Sequence, residues 1–356
     1  MAKILYGIMG NTWGHWARTA AILSRLRGRH EFFFVGGGRV AERMRGEENF
    51  LEVPVLRTVH RRQAVSVFGT IGHALNCICS FPNVLEKVCA VAEKFRPDVV
   101  VVDREFFLPW IAKLKKWPLI SIDHSHVLKA CEYEVPWGQK VSWGLAMVND
   151  YLLYDVSRHN LIVSFFHPGL KRTQRKGELN LLLPPVLRDE VRAFSPRRGD
   201  YVFVYQSSAT FSRLLEPLKK LDREVVIYGM SHCEKQEGNL IFRGFSERRL
   251  LEDLSGASYA VVNGGHNVIC EALYYEKPIL CFPIRGLFEQ FLNAWYVRAL
   301  GYGDYSLDLS PSLDLFRRFE ISLDKYREKI QRGFEDGTER VCQALEAAIA
   351  LYAEKS

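Results

Sequence analysis

The sequence has no CxxC pair, no DxD pair and no GxGxxG turn after its first strand-like segment. The first absence removes the common thiol frameworks for zinc and for dithiol redox chemistry. The eight cysteines, at 77, 79, 89, 131, 233, 270, 281 and 342, sit mostly in apolar segments and read as buried, reduced thiols. The second absence leaves no acidic pair placed to hold a divalent ion on a diphosphate, so neither a metal nor a cofactor is expected. The third argues against a dinucleotide-dependent dehydrogenase. Helix-turn-helix, zinc-finger and RNP-type signatures are missing too, so nucleic acid is not an expected partner.

Long apolar runs are also scarce. The start, MAKILYGIMGNTWGHW, has one lysine and a glycine-broken strand pattern where a leader would have an apolar core. No signal peptide is read there. The segment nearest to a membrane span is 63–85, which lacks Lys, Arg, Asp and Glu but is diluted by Gln, Ser, Thr, His, Asn and Pro. It is not read as bilayer-spanning, and a cytoplasmic protein is expected.

What remains is ordinary globular material: 356 residues, 48% hydrophobic and 25% charged. At about 100–200 residues per domain, two domains are expected. The net charge of +7 is uneven. Residues 1–196 hold 27 Lys+Arg against 18 Asp+Glu, and the remainder 21 against 23. A basic first half points to an anionic partner, such as an acidic lipid or a membrane surface. Arg57, Arg61 and Arg62, ahead of the uncharged 63–85 segment, are the candidates for peripheral contact with the inner face of a membrane.

Short β-branched runs alternate with helical spacing along the chain. Strands are read at 3–9, 30–38, 99–103, 118–124 and 159–166, with helices at 16–29 and at 82–98, the latter stopped by Pro97. After the polar hinge 195–200 the pattern restarts, with strands at 201–208, 224–229, 239–245, 259–265 and 278–283. The final segment, 321–354, reads as two helices broken near 335–338. This is an α/β protein of two doubly wound, Rossmann-like domains facing a cleft, with ligand sites beyond the strands' C-terminal ends. Residues 1–194 form the first domain and 195–340 the second; the helix 341–356 is a candidate to return to the first.

The richest stretch is NGGHN, 263–267, between a strand and a helix. A glycine turn at a helix N-terminus exposes backbone N–H groups to a partial positive charge, which suits phosphate. Glu271 follows four residues after Asn267 on the same helix end, where a carboxylate can take both hydroxyls of a ribose. The loop PIRGLFEQ, 283–290, then sets Glu289 and Gln290 to meet sugar hydroxyls. Each of these has a plainer role open to it, as a tight turn or a helix-cap charge.

Together, residues 245–303 resemble the donor-binding signature of GT-B glycosyltransferases. The spacing carries the resemblance: Gly264-Gly265, Glu271 six residues on, Lys277-Pro278, Glu289-Gln290 and Asn293-Ala294. Two branches fit, the UDP-glycosyltransferases of small molecules and the N-acetylglucosaminyltransferase of the peptidoglycan lipid intermediate with its diacylglycerol-glycosylating relatives. The chain departs from the first branch at Asn263, where His is usual, and at Val268, often Ser.

The resemblance implies that Gly264, Gly265, His266 and Asn267 cradle the donor diphosphate and Glu271 the ribose. It puts Glu289 and Gln290 on the transferred sugar, Phe245 against the base, and Ser207 and Ser208 in a second turn near the phosphates. In the first domain, Gly10, Asn11 and Gly14 form an acceptor-side loop. His15 would be the general base and Asp103 its orienting partner. Histidine titrates at about 6.5, so it can take a proton from an acceptor hydroxyl at neutral pH. A phosphate or acceptor contact remains open for His15 and a strand-end cap for Asp103; Asp123 and His124 form a second His/Asp candidate.

The expected function is an inverting, metal-independent transfer from a nucleotide-sugar donor, a UDP-sugar, to a hydroxyl acceptor. The acceptor classes in view are lipids and cell-envelope precursors. A nucleotide-sugar 2-epimerase and a non-catalytic nucleotide-sugar-binding protein stay open beside it.

Overall fold

The structure, a computed structural model, describes the chain except for residues 12, 57–59, 62–63, 66, 173–175, 207–210, 232 and 354–356. It divides into two units. The first holds Met1–Val59, Ser66–Arg188 and Asp336–Ser356; the second holds His60–Val65 and Asp189–Glu335. The division falls ahead of residue 194 because the turn Asp189–Ala193 is fastened to the second unit. There, Tyr275 Oη donates to the Val191 carbonyl at 2.6 Å.

The first unit contains β1 (Lys3–Ile8), β2 (Glu31–Gly36) and β3 (Phe50–Glu52) and, after the pair β4 (His60–Arg61) and β5 (Ala64–Val65), which belongs to the second unit, β6 (Val99–Asp103), β7 (Leu119–Asp123), β8 (His159–Val163) and β9 (Leu179–Leu183). Its seven strands run in the order β3-β2-β1-β6-β7-β8-β9, every pair parallel. Side chains alternate between the two faces of the sheet. Ile4, Tyr6 and Ile8 go to one face, under the helices Trp13–Leu26 and Thr338–Ala353. Leu5, Val100 and Val102 go to the other, under Val67–Phe95 and Phe107–Lys115. The terminal helix returns because Val341, Cys342, Leu345, Ala348 and Ile349 recur at helical spacing and bury on the sheet. Each such aliphatic side chain is worth roughly 1.5–3 kcal/mol.

The second unit contains β10 (Tyr201–Tyr205), β11 (Glu224–Tyr228), β12 (Lys235–Glu237), β13 (Leu240–Arg243), β14 (Tyr259–Val262), β15 (Ile279–Cys281) and β16 (Gly303–Tyr305). Their order is β12-β13-β11-β10-β14-β15-β16, with β12 alone antiparallel at the edge. In both units the chain winds outward from a central strand, then crosses back to the other side. The reversal lies between β1 and β6 in the first unit and between β10 and β14 in the second. Such switch points leave a crevice at the strands' C-terminal ends.

Two expectations need correction. The helix expected to begin at Pro82 runs instead from Val67 to Phe95, with Pro82 inside it. Cys77, Val84 and Val88 bury along one side of it, so packing carries the helix through the missing N–H. Ala74–Phe95 is long and apolar enough to cross a membrane by length and composition. It serves here as a crossover between strands of one sheet. Secondly, the cysteines are all free, but Cys79 and Cys233 are exposed.

Candidate functional site

In the first unit the switch point brings the loop after β1 beside the end of β6. Ile8 pairs with Asp103 in register, and the Met9 N–H donates to the Asp103 carbonyl at 3.0 Å. The loop after β1 can hug the glycines after β2 only because it is glycine itself: a Cβ on Gly10 would stand 1.6 Å from the Gly37 carbonyl oxygen. Asn11 closes the loop by donating from Nδ2 to the Leu56 carbonyl at 2.6 Å. The helix Trp13–Leu26 then begins, with Gly14 in its first turn and His15, Arg18 and Ile22 on one face.

His15 Nδ1 lies 2.7 Å from Asp103 Oδ1. Arg18, three residues on, donates to the same carboxylate, from Nε to Oδ2 at 2.9 Å and from Nη2 to Oδ1 at 2.5 Å. Asp103 and Arg18 are both buried. Burial alone would push the Asp103 carboxyl up, but Arg18 and His15 outweigh it and hold it below its usual range. An ionised carboxylate only accepts, so the hydrogen between Nδ1 and Oδ1 belongs to His15. In neutral His15 that leaves Nε2 with a lone pair, and the side chain stays 20% exposed. The arrangement is therefore an imidazole oriented by a carboxylate, which is itself paired with an arginine.

The chain reverses straight after Asp103, with Arg104 at φ +53°. A non-glycine residue there costs about 1–2 kcal/mol. Arg104 is held by Asp150 Oδ1 at 2.9 Å and by the Tyr154 ring, whose centroid is 4.3 Å away. Glu105 follows, buried, accepting from the Leu108 N–H at 2.5 Å; burial pushes its carboxyl up to about 7 against the pull of that amide and its neighbours.

The second His/Asp pair is corrected. Asp123 joins His126, at 2.6 Å to Nδ1 and 2.9 Å to the backbone N–H. His124 is within hydrogen-bond distance of the Val163 carbonyl at 2.8 Å and meets the Phe166 ring edge-on. Asp123 and His126 are buried on all sides, so they form an internal ion pair away from solvent.

In the second unit the turn after β14 sits beside the end of β10. Asn263, buried, donates to Gln206 Oε1 at 2.6 Å and to the Phe282 carbonyl at 3.2 Å. It ties three strand ends together, a task its amide can do in two directions at once. Gly264 adopts φ +97°, and a Cβ on it would press on the Gln290 carbonyl oxygen at 2.7 Å. Gly265 starts the helix His266–Tyr274 without a side-chain cap, whereas Ser246 accepts from Arg249 N at the start of Glu247–Gly256. The start of this helix follows directly on the Gly264-Gly265 turn at the C-terminal end of β14.

His266 and Glu271 are buried on that helix, and Asn267 is half-buried. Gln290 accepts the Ile284 N–H at 3.1 Å, while Glu289 is half-buried beside it on the helix Phe288–Ala299. Phe245, after β13, is 56% exposed. The structure thus groups Gly264, Gly265, His266, Asn267 and Gln290 around one turn. Ser207 and Ser208 lie outside the described residues.

Arg18 escaped the sequence reading, and so did the structural roles of Asn293 and Gln206. Arg18 had a signal, its position one turn after His15 on the same helical face. Asn293, buried, donates to the Gly264 carbonyl at 3.0 Å and fixes the turn. Gln206, buried just after β10, accepts from Asn263 and holds the turn from the other side. Among the described residues no cluster of three His, Cys, Asp or Glu is arranged as a metal site.

A family model described as glycosyl transferase family 1 matches residues 2–318. An uncharacterized glycosyltransferase of Methanosarcina mazei is 28% identical over 348 residues, which is 87% of each chain. An uncharacterized UDP-glucosyltransferase of Bacillus subtilis, YojK, is 31% identical over 146 residues, 39% of this chain and 33% of its own. Among solved structures, the kitacinnamycin glycotransferase superposes with a TM-score of 0.70 at 17% identity, covering 98% of this chain and 99% of that one. That likeness establishes a shared GT-B fold.

Proposed function

The chain belongs to glycosyl transferase family 1, and from that premise we propose that it moves a sugar from a UDP-sugar to an acceptor hydroxyl with inversion at the anomeric carbon. The observation that carries the mechanism is the His15–Asp103–Arg18 arrangement. Asp103 is kept ionised, Nδ1 keeps its proton, and Nε2 is the free base. The acceptor O–H proton passes to Nε2. The oxygen then forms its bond to the anomeric carbon as the bond from that carbon to the diphosphate oxygen breaks. General-base help of this kind is worth about 10²–10⁴-fold.

The leaving diphosphate gains negative charge. In this reading the backbone N–H groups of the turn and of the helix start at His266 and Asn267 meet that charge, together with the positive end of the helix, so the transfer is taken as metal-independent. Glu271 takes the ribose hydroxyls, Phe245 lies against the base, and Glu289 and Gln290 take the sugar. A UDP donor is supported by the UDP-glucosyltransferase relative. The acceptor is a hydroxyl compound, lipid-linked members included.

A thermal-shift screen of UDP-, GDP- and dTDP-sugars tests the donor, and turnover with a panel of hydroxyl acceptors tests the transfer. The expectation is a shift with a UDP-sugar, kept in His15→Ala while turnover falls at least about a hundredfold. Absence of a shift with every nucleotide sugar would overturn the reading. Unchanged turnover in His15→Ala would overturn the base assignment alone.

A further inference from the structure

The helix Lys140–Leu153 buries none of its residues. On it and the turn just before it, Trp137 and Val141 are 83% and 78% exposed, and Leu145, Val148 and Leu152 are each more than half exposed. Their positions recur every three or four residues, so they form one stripe along the helix. Between Lys140 and Asp150 the sequence has no charge, and Asp150 is engaged by Arg104. A helix packed on a sheet normally turns such a stripe inward. This one turns it to solvent, and contiguous exposed apolar surface marks an interaction site.

The ends of the stripe are cationic. Lys140 lies over the Trp137 ring, 4.1 Å from its centroid. At the far end, Trp110 donates from Nε1 to the Leu153 carbonyl at 3.0 Å, which brings the helix Phe107–Lys115 alongside. Lys113 lies 5.0 Å from the Trp110 ring centroid, and Lys113, Lys115 and Lys116 are exposed there. Leu75 and Ile78, more than half exposed, flank buried Cys77, which packs in one cluster with Tyr154 at the end of the stripe. The nearby exposed acids are Glu132 and Glu134, in the loop before Trp137, and Glu132 faces Lys171.

We propose that this face docks the first unit onto an anionic lipid bilayer. Trp137 and the aliphatic stripe enter the interfacial layer. The lysines lay their methylenes along it and set their ammonium groups among the headgroup phosphates. Charge complementarity selects this occupant: the stripe is neutral, its ends carry lysines, and residues 1–196 hold nine more cationic than anionic side chains. Of the segment expected from the sequence, Arg57 and Arg62 lie outside the described residues. A lipid-linked acceptor, which rests on the transferase reading, would lie in the same bilayer.

The experiment is vesicle co-sedimentation of the full chain without donor or acceptor. Vesicles of equimolar phosphatidylglycerol and phosphatidylcholine are compared with phosphatidylcholine alone. The wild type is expected to pellet with the anionic vesicles and to be released by high salt. A Trp137→Ser, Val141→Ser, Val148→Ser variant should bind at least about tenfold more weakly. A Lys113→Glu, Lys115→Glu, Lys116→Glu variant should lose the preference for anionic lipid. All six positions are exposed, and matching melting curves will show that the variants fold. Equal binding by wild type and apolar variant, or no binding to either vesicle, would overturn the proposal. So would a lipid-free wild-type dimer, by sedimentation velocity, that the apolar variant abolishes, since the face would then belong to a second copy. Because no turnover is measured, failure here leaves the catalytic reading untouched.

Discussion

The Arg18 guanidinium grips both oxygens of the Asp103 carboxylate, and one of those oxygens is also the partner of His15. A buried carboxylate facing only a histidine would be a strong counter-ion for imidazolium. Here its charge is already matched when the histidine is neutral. The consequence is an imidazole whose Nδ1 is held on an already matched carboxylate.

Arg18→Met should therefore do two things. It leaves Asp103 as a buried charge without its main partner, at a cost of about 3–5 kcal/mol in folding stability. In the fraction that folds, Asp103 then acts undivided on His15, and the acid limb of the pH profile of kcat/KM should move to higher pH. Arg18→Lys keeps the charge without the fork and should fall between the two. An unmoved acid limb in both variants would remove Arg18 from any positioning role.

Glu105 and Asp103 should show opposite pH linkage. Burial raises Glu105 from its ordinary 4.5 to about 7, so the folded state binds more protons than the unfolded state between those values. Stability is then greatest below the unfolded value and declines as pH rises through about 7, by about 3 kcal/mol in all. Glu105→Gln keeps an acceptor for the Leu108 N–H and should flatten the melting temperature between about pH 4.5 and 7. Identical slopes for variant and wild type would refute this. Asp103, held low, contributes stability above the unfolded carboxylate value and loses it only under acid.

Gly264→Ala should weaken both the fold and the donor site. Its φ of +97° disfavours any side chain, and the Gln290 carbonyl blocks the new Cβ. A destabilisation of about 1–3 kcal/mol is expected by chemical denaturation. A loss of UDP-sugar affinity should accompany it, read by calorimetry. Retained affinity would mean that the turn does not shape the phosphate site.

Glu271→Gln should raise KM for the donor by about tenfold while leaving kcat within a few-fold, the signature of lost uniform binding. A selective fall in kcat would place Glu271 at the reacting carbon instead.

Much of the architecture was legible because its signals are local. Val99–Val102 before Asp103 declared a strand buried on both faces, and the break near residues 335–338 separated the last two helices. The Gly264-Gly265 turn and Glu271 stood out for the same reason, since backbone freedom and helix-end charge are properties of adjacent residues. Pro82 misled because a propensity rule gave way to the packing of Cys77, Val84 and Val88.

The sequence by itself determined the winding of the two sheets, the glycine turns and the candidate base, since each follows from periodicity or from one residue's chemistry. Tertiary structure decided the rest. It set Arg18 on Asp103, gave Asp123 to His126, used Asn263 as a tie between strand ends, and turned the 137–152 stripe to solvent. Those outcomes depend on which strand ends the switch points bring together and which helix face the core leaves uncovered. Neither is a property of any short stretch of chain.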